Sequence, residues 1–102
     1  MVIKVDHIGI AVKDLNKAIK FYEEVLGIKC VKTEVIEEQK VKTAFLPIGD
    51  TEIELLESTE ADGPIGKHIE KRGEGVQHIA YKVENIEEAI EKMKEKGIRM
   101  ID

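Results

Sequence analysis

A single cysteine, Cys30, stands in the 102 residues. No disulfide can form within the chain, which suits a reducing compartment. There is no glycine-rich phosphate loop, no CxxC pair and no serine-nucleophile motif. Nucleotide cradling, zinc-ribbon binding and acyl-serine chemistry therefore have no motif to rest on. Long apolar runs are missing as well. The opening MVIKVDHIGIAV is too short and too interrupted by charge to read as a signal peptide or a membrane span. The expectation is a cytoplasmic protein with no membrane partner. Positive charge is neither abundant nor gathered: 16 Lys and Arg face 21 Asp and Glu, a net charge of −5. Without a basic stripe, no nucleic-acid partner is expected. Side-chain amides are scarce, confined to Asn16, Gln39, Gln77 and Asn85, a thermophile-like trait.

What the chain does hold is 42% hydrophobic residues, enough for a core, in a length that allows one domain. It also holds a repeat. VDHIGIAVKDLNKAIKFYEEVLGIKCV from Val5 aligns with VQHIAYKVENIEEAIEKMKEKGIRMI from Val76. Val5, His7, Ile8, Val12, Ala18, Ile19 and Glu24 recur as Val76, His78, Ile79, Val83, Ala89, Ile90 and Glu95. After a one-residue deletion, Gly27 and Ile28 recur as Gly97 and Ile98. Self-similarity of this kind marks a duplicated structural unit.

Each copy reads as strand, helix, strand. Over Val2 to Val12, alternation places Val5, His7, Gly9 and Ala11 on one face and Asp6, Ile8, Ile10 and Val12 on the other. Asp14 is a natural N-cap, Leu15, Ala18, Ile19, Tyr22 and Leu26 follow helical spacing, and Gly27 ends the helix. In the second copy Asn85 caps, with Glu88 three residues on. Ile86, Ala89, Ile90 and Met93 form the stripe, and Gly97 stops it. Three further strands follow the first helix: Lys29 to Ile36, Lys40 to Leu46 ended by Pro47, and Thr51 to Leu56. A short helix started by Asp62 and Pro64 closes near Gly73. The fold class is therefore α+β, built of paired β-α-β-β-β modules: residues 1–57 the first, 58–74 a linker, 75–102 the start of a second. That second module breaks off inside its second strand, so a longer parent chain is expected, running about 30 residues further at ordinary strand and loop lengths. The repeat offset of 71 residues would put a counterpart of Glu54 near position 125.

His7 and His78 occupy equivalent places on equivalent strands. If the units pair by pseudo-symmetry, both imidazoles point into one cleft and suit a divalent metal such as Zn, Co, Ni or Mn. The plainer alternative is two hydrogen-bonded histidines retained after duplication. Glu54, in the otherwise apolar TEIELLE strand, either completes a mixed His/Glu ligand set or faces solvent beside Glu52. His68 has no symmetric mate and reads as a surface or hinge residue. Gln77 alternates to the face opposite His78 and is not counted as a ligand. Cys30 reads as a packed thiol.

Three stretches, DHIGIAVKDLNKAIKFYEEVLG, TEIELLES and PIGKHIEKRGEGVQHIAYKVENIEEAI, resemble methylmalonyl-CoA epimerases of the vicinal-oxygen-chelate superfamily, the glyoxalase/bleomycin resistance/dioxygenase group. The likeness covers essentially the whole chain; its opening segment is shared with glyoxalases and dioxygenases. It implies a glyoxalase-like cup around a divalent metal (Co, Zn, Mn or Ni) held by His7, Glu54 and His78, an acyl-CoA substrate and a homodimer. The reaction implied is a metal-assisted 1,1-proton transfer between (R)- and (S)-methylmalonyl-CoA through an enolate. The catalytic proton carriers are unassigned. The family's C-terminal ligand glutamate has no counterpart in the 102 residues, and Thr43 stands where some members place a second base, so little turnover by this chain alone is expected. Gln77 also departs from a histidine common in relatives. A glyoxalase-type lactoylglutathione lyase, another metal enzyme of the superfamily, and a non-catalytic binding module stay open as alternatives.

Overall fold

The computed structural model describes residues 1–98; the second strand expected for the second copy falls largely beyond them. Nine of the described elements follow one another as β1 (Val2–Ala11), α1 (Leu15–Glu24), β2 (Lys32–Ile36), a 3-10 turn (Glu37–Gln39), β3 (Val41–Ile48), β4 (Thr51–Ser58), α2 (Pro64–Arg72), β5 (Gly75–Val83) and α3 (Ile86–Glu95). The strands form one mixed sheet in the order β2-β3-β4-β1-β5, giving an α+β fold as expected.

The two caps act as the sequence implies. Asp14 accepts a hydrogen bond from the Lys17 amide at 3.1 Å, and Asn85 accepts one from the Glu88 amide at 3.1 Å. Each satisfies an amide that the first helical turn leaves without a partner. Both helices then unwind into a left-handed glycine, Gly27 and Gly97. Matching bonds run from the Ile28 amide to the Tyr22 carbonyl and from the Ile98 amide to the Met93 carbonyl. The duplicated sequence thus gives a duplicated local structure.

Alternation along the strands divides the sheet into two faces. Ile8, Ile10, Val12, Ala44, Leu46, Ile53 and Leu55 pack on α1 through Leu15, Ala18, Ile19 and Tyr22. Ala11, Val41 and Leu56 pack on α2 through Ile65 and Ile69. The sheet is therefore sandwiched at its centre. The α2 face also carries His7 and Glu54, beside the helix rather than beneath it.

Several boundaries depart from the sequence reading. β2 begins at Lys32, not Lys29. β3 runs through Pro47, which pairs with Glu52 in the β3–β4 hairpin. The β2 ladder stops at Phe45, so the missing Pro47 amide costs no bond on that side. α2 is preceded by Gly63 with no side-chain cap; Asp62 instead pairs with Lys40 at 2.8 Å. Leu26 and Met93 lie in their apolar stripes by spacing, yet are 50% and 37% exposed. Leu26 falls past the last residue of α1, where helical periodicity no longer holds.

Two packing predictions follow from these faces. Leu55 is fully buried between sheet and α1, so Leu55→Ala is expected to lower stability by about 2–5 kcal/mol in urea unfolding. A Cβ on Gly66 would lie 2.5 Å from the Ala61 carbonyl oxygen. Gly66→Ala should therefore destabilise by about 1–3 kcal/mol, although alanine is the better helix former.

Candidate functional site

The site is set by the pairing of β1 with both neighbours. β4 lies parallel to β1 with Glu52 opposite His7 and Glu54 opposite Gly9. β5 lies antiparallel on the other side, with His78 opposite Gly9 and Ala80 opposite His7. His7 and His78 thus sit on adjacent strands of one sheet, diagonally across the ladder. Their Nε2 atoms are 3.1 Å apart, with ring planes nearly perpendicular at 85°.

Room for this contact comes from Gly9. A Cβ there would fall 2.2 Å from His78 Cε1. Glycine weakens a strand interior, and its usual reason for being there is close approach by another group. Here that group is the His78 imidazole.

Each ring is held at its other nitrogen by the residue just before it. His7 Nδ1 lies 3.0 Å from Asp6 Oδ2, and His78 Nδ1 lies 2.5 Å from Gln77 Oε1. This corrects two sequence-based placements, since strict alternation sends Asp6 and Gln77 to the opposite face. β-bulges make the difference. Val5 and His7 face the consecutive residues Tyr81 and Ala80, leaving Asp6 as an extra residue on β1. Gly9 and Ile10 face His78 and Val76, leaving Gln77 as an extra residue on β5. A bulged residue escapes the two-residue alternation of the strand. No feature of the local sequence announces either bulge; the adjacency of a polar side chain to each histidine was the one available signal.

Glu54 is 18% exposed in its side chain, and its Oε2 lies 3.6 Å from His7 Nδ1. It faces the histidines, not bulk solvent. Its contact is on the Nδ1 side of His7. Among the described residues, no group of three His, Cys, Asp or Glu side chains is already arranged around one point. Burial raises the Glu54 carboxyl from its ordinary value, with His7 pulling the other way and Glu52 and Asp6 adding to the rise. Burial, then the nearness of His7, lowers the His78 imidazole and favours its neutral form. The His7 hydrogen bond holds the Asp6 carboxyl below its usual value, so Asp6 is an acceptor.

The hydrogen bonds carry a chemical consequence. A neutral imidazole has one N–H and one lone pair. The Nε2···Nε2 contact at 3.1 Å is a hydrogen bond when one of the two Nε2 atoms carries the proton, and a pair of facing lone pairs when both protons sit on Nδ1, toward Asp6 and Gln77. In the second arrangement a cation seated beside both lone pairs offsets their repulsion. Two imidazole nitrogens so placed make a donor pair that fits a divalent transition metal, with the Glu54 carboxylate on the Nδ1 side of His7.

Beside the pair opens a cavity of about 330 Å³, lined on the described residues by Ile36, Val41, Thr43, Leu56 and Ile65 as well as by His7, Glu54, Gln77 and His78. Thr43 is buried in its wall. His68 and Cys30 lie elsewhere. Cys30 packs against the α1 core, and its thiol donates to the Lys32 carbonyl at 3.4 Å. A hollow near Lys13 and Phe21 is larger, at about 480 Å³. Both of its carboxylates serve local structure, Asp14 capping α1 and Glu74 accepting the Lys13 amide.

The histidine pair, the bulges and the cavity belong to a fold with known relatives. Residues 6–102 match the family model of the glyoxalase/bleomycin resistance protein/dioxygenase superfamily. The chain belongs to that superfamily. It is 39% identical to the protein YqjC of Bacillus subtilis over 97% of its own length and 71% of that protein. It is 35% identical to the mitochondrial methylmalonyl-CoA epimerase of Bos taurus, over 96% of its own length and 57% of the bovine chain. Among solved structures, Streptomyces coelicolor methylmalonyl-CoA epimerase in complex with 2-nitronate-propionyl-CoA superposes with a TM-score of 0.90 at 37% identity. That match covers all of this chain and 75% of the other. The chain therefore spans little more than half of the bovine relative. Its fold is glyoxalase-like, and its family includes epimerases.

Two outcomes test the site. Gly9→Ala should drive the His78 ring away from His7 and weaken Co²⁺ binding measured by calorimetry, while far-UV circular dichroism keeps the native sheet signal. Glu54→Gln tests the buried carboxylate. A carboxyl raised by folding adds stability that is full below its unfolded pKa and lost as pH rises through its folded value. The glutamine variant of the metal-free protein should therefore unfold at higher urea than the parent at neutral pH. The gap should close as pH falls through the carboxylate range.

Proposed function

We propose that the chain serves epimerisation of methylmalonyl-CoA, a 1,1-proton shift that interconverts the (R) and (S) forms through an enolate. The observation that carries this reading is the convergence of His7 Nε2 and His78 Nε2 at 3.1 Å at the edge of the cavity, in a chain whose family includes methylmalonyl-CoA epimerases. His7, Glu54 and His78 would hold a divalent ion, Co, Zn, Mn or Ni, which when bound supplies Lewis-acid stabilisation of enolate charge.

The chain's own residues do the rest. Ile36, Val41, Leu56 and Ile65 wall the cavity with apolar surface and limit water around the acidic carbon. The proton lost from that carbon sits between a thioester carbonyl and a carboxylate, and it returns on the opposite face. Glu54 is the one carboxylate among the described residues that line the cavity. Thr43 offers a hydroxyl that can hydrogen-bond a substrate oxygen but is no base for a carbon acid. An acyl-CoA partner, a homodimeric assembly and a cytoplasmic setting belong to the same reading. Among the described residues, no helix is long and apolar enough to cross a membrane.

Mass spectrometry of solvent deuterium entering C2 of methylmalonyl-CoA tests the proposal. Exchange should depend on Co²⁺ and fall to the uncatalysed rate in His7→Ala and His78→Ala. With threonine at position 43, the rate should sit on the order of 10²–10⁴-fold below that of a site with two positioned acid/base groups. Conversion of the methylglyoxal–glutathione hemithioacetal, with no exchange into methylmalonyl-CoA, would replace this reading with a lactoylglutathione lyase. Ligand binding with neither reaction would leave a binding module.

A further inference from the structure

We propose that Asp6 and Gln77 are matched positioning residues, each turned by a β-bulge to accept the Nδ1–H of the histidine that follows it and so aim that ring's Nε2 at the other. The inference rests on the proposed cation site and adds how this chain prepares it.

Three observations converge. The two residues stand 71 positions apart, the same offset that separates the histidines, so each copy of the repeat supplies its own holder. Each is the extra residue of a bulge in the β1–β5 ladder, and the two bulges lie on opposite strands. Each contacts Nδ1 of its neighbour, at 3.0 Å for Asp6 and 2.5 Å for Gln77. In a regular strand, residues i and i+1 point to opposite faces and cannot make this bond. The bulges are what permit it, and bulges are enriched where a side chain must be re-aimed.

The chemistry follows from the acceptors. An ionised carboxylate accepts but cannot donate, so the Asp6 contact requires the proton on His7 Nδ1. The Gln77 carbonyl oxygen imposes the same on His78. Both rings are thereby placed in the Nδ1–H form, leaving Nε2 free on each, as an outer partner does for a metal-binding histidine. The two holders differ in charge. Asp6 makes His7 the more electron-rich donor, while the neutral amide of Gln77 leaves His78 the weaker one.

Nitrogen-15 NMR of the metal-free chain at mildly alkaline pH reads the tautomers directly, and Co²⁺ titration by calorimetry reads the consequence. In the parent protein both histidines should appear as Nδ1–H. Gln77→Ala should return His78 to the Nε2–H form common in free histidine, leave His7 unchanged, and weaken Co²⁺ binding on the order of 10–100-fold. Gln77→Glu should restore the Nδ1–H signal and bind Co²⁺ at least as tightly as the parent. Asp6→Asn should weaken Co²⁺ binding while a native amide spectrum shows the sheet intact. If Gln77→Ala keeps His78 as Nδ1–H, with Co²⁺ affinity within twofold of the parent, the positioning role is wrong. If the parent shows both Nδ1–H tautomers yet takes up no Co²⁺, the positioning role stands and the cation site falls.

Discussion

The antiparallel pairing of β1 with β5 is the contact on which the site depends. It joins the two copies of the repeat edge to edge and sets His78 opposite Gly9 and diagonal to His7. Neither copy alone holds two convergent imidazoles. The pairing succeeds because Gly9 has no Cβ; any larger residue would occupy the space of the His78 ring. A strand interior thus gives up side-chain packing at one position, and that vacancy lets two rings meet.

The rest of the architecture supports that ladder. β4 lies parallel on the other side of β1, because two hairpin reversals return the chain to its starting direction. It brings Glu54 to the histidine face while Ile53 and Leu55 point to α1. The α1 core holds β1 from behind. α2 covers Ala11, Val41 and Leu56 on the front, stopping short of the histidines. A cavity with apolar walls and a polar rim results, the usual composition of a small-molecule site. The same burial that makes the wall apolar shifts Glu54 upward and His78 downward. The electrostatics of the site are therefore a product of packing rather than of residue identity alone.

Much of this was legible in the sequence, and the reasons are specific. Helix caps depend on a side chain and an amide three residues apart, so Asp14 and Asn85 announced α1 and α3. The split of the sheet into an α1 face and a cup face follows from strand alternation, which placed Ile8, Ile10 and Val12 apart from His7 and Ala11. Duplication made His7 and His78 equivalent before any strand was paired. The start of α2 at Pro64 was legible, but its cap was misread because Asp62, a good cap by type, is drawn to Lys40 across the chain. The end of β3 was misread because proline stops a strand only where its amide is needed.

By itself, then, the sequence determined the repeat, the local elements, the two faces of the sheet and the identity of the two histidines. These depend on periodicities and contacts spanning a few residues, together with one long-range equivalence visible as text. Tertiary structure alone decided that β1 and β5 pair, that Gly9 makes room for His78, and that bulges bring Asp6 and Gln77 against the histidine rings. A bulge is a mismatch between two strands and has no meaning within one. The orientation of each imidazole, and with it the chemistry open to the pair, is therefore set by register between segments about 70 residues apart.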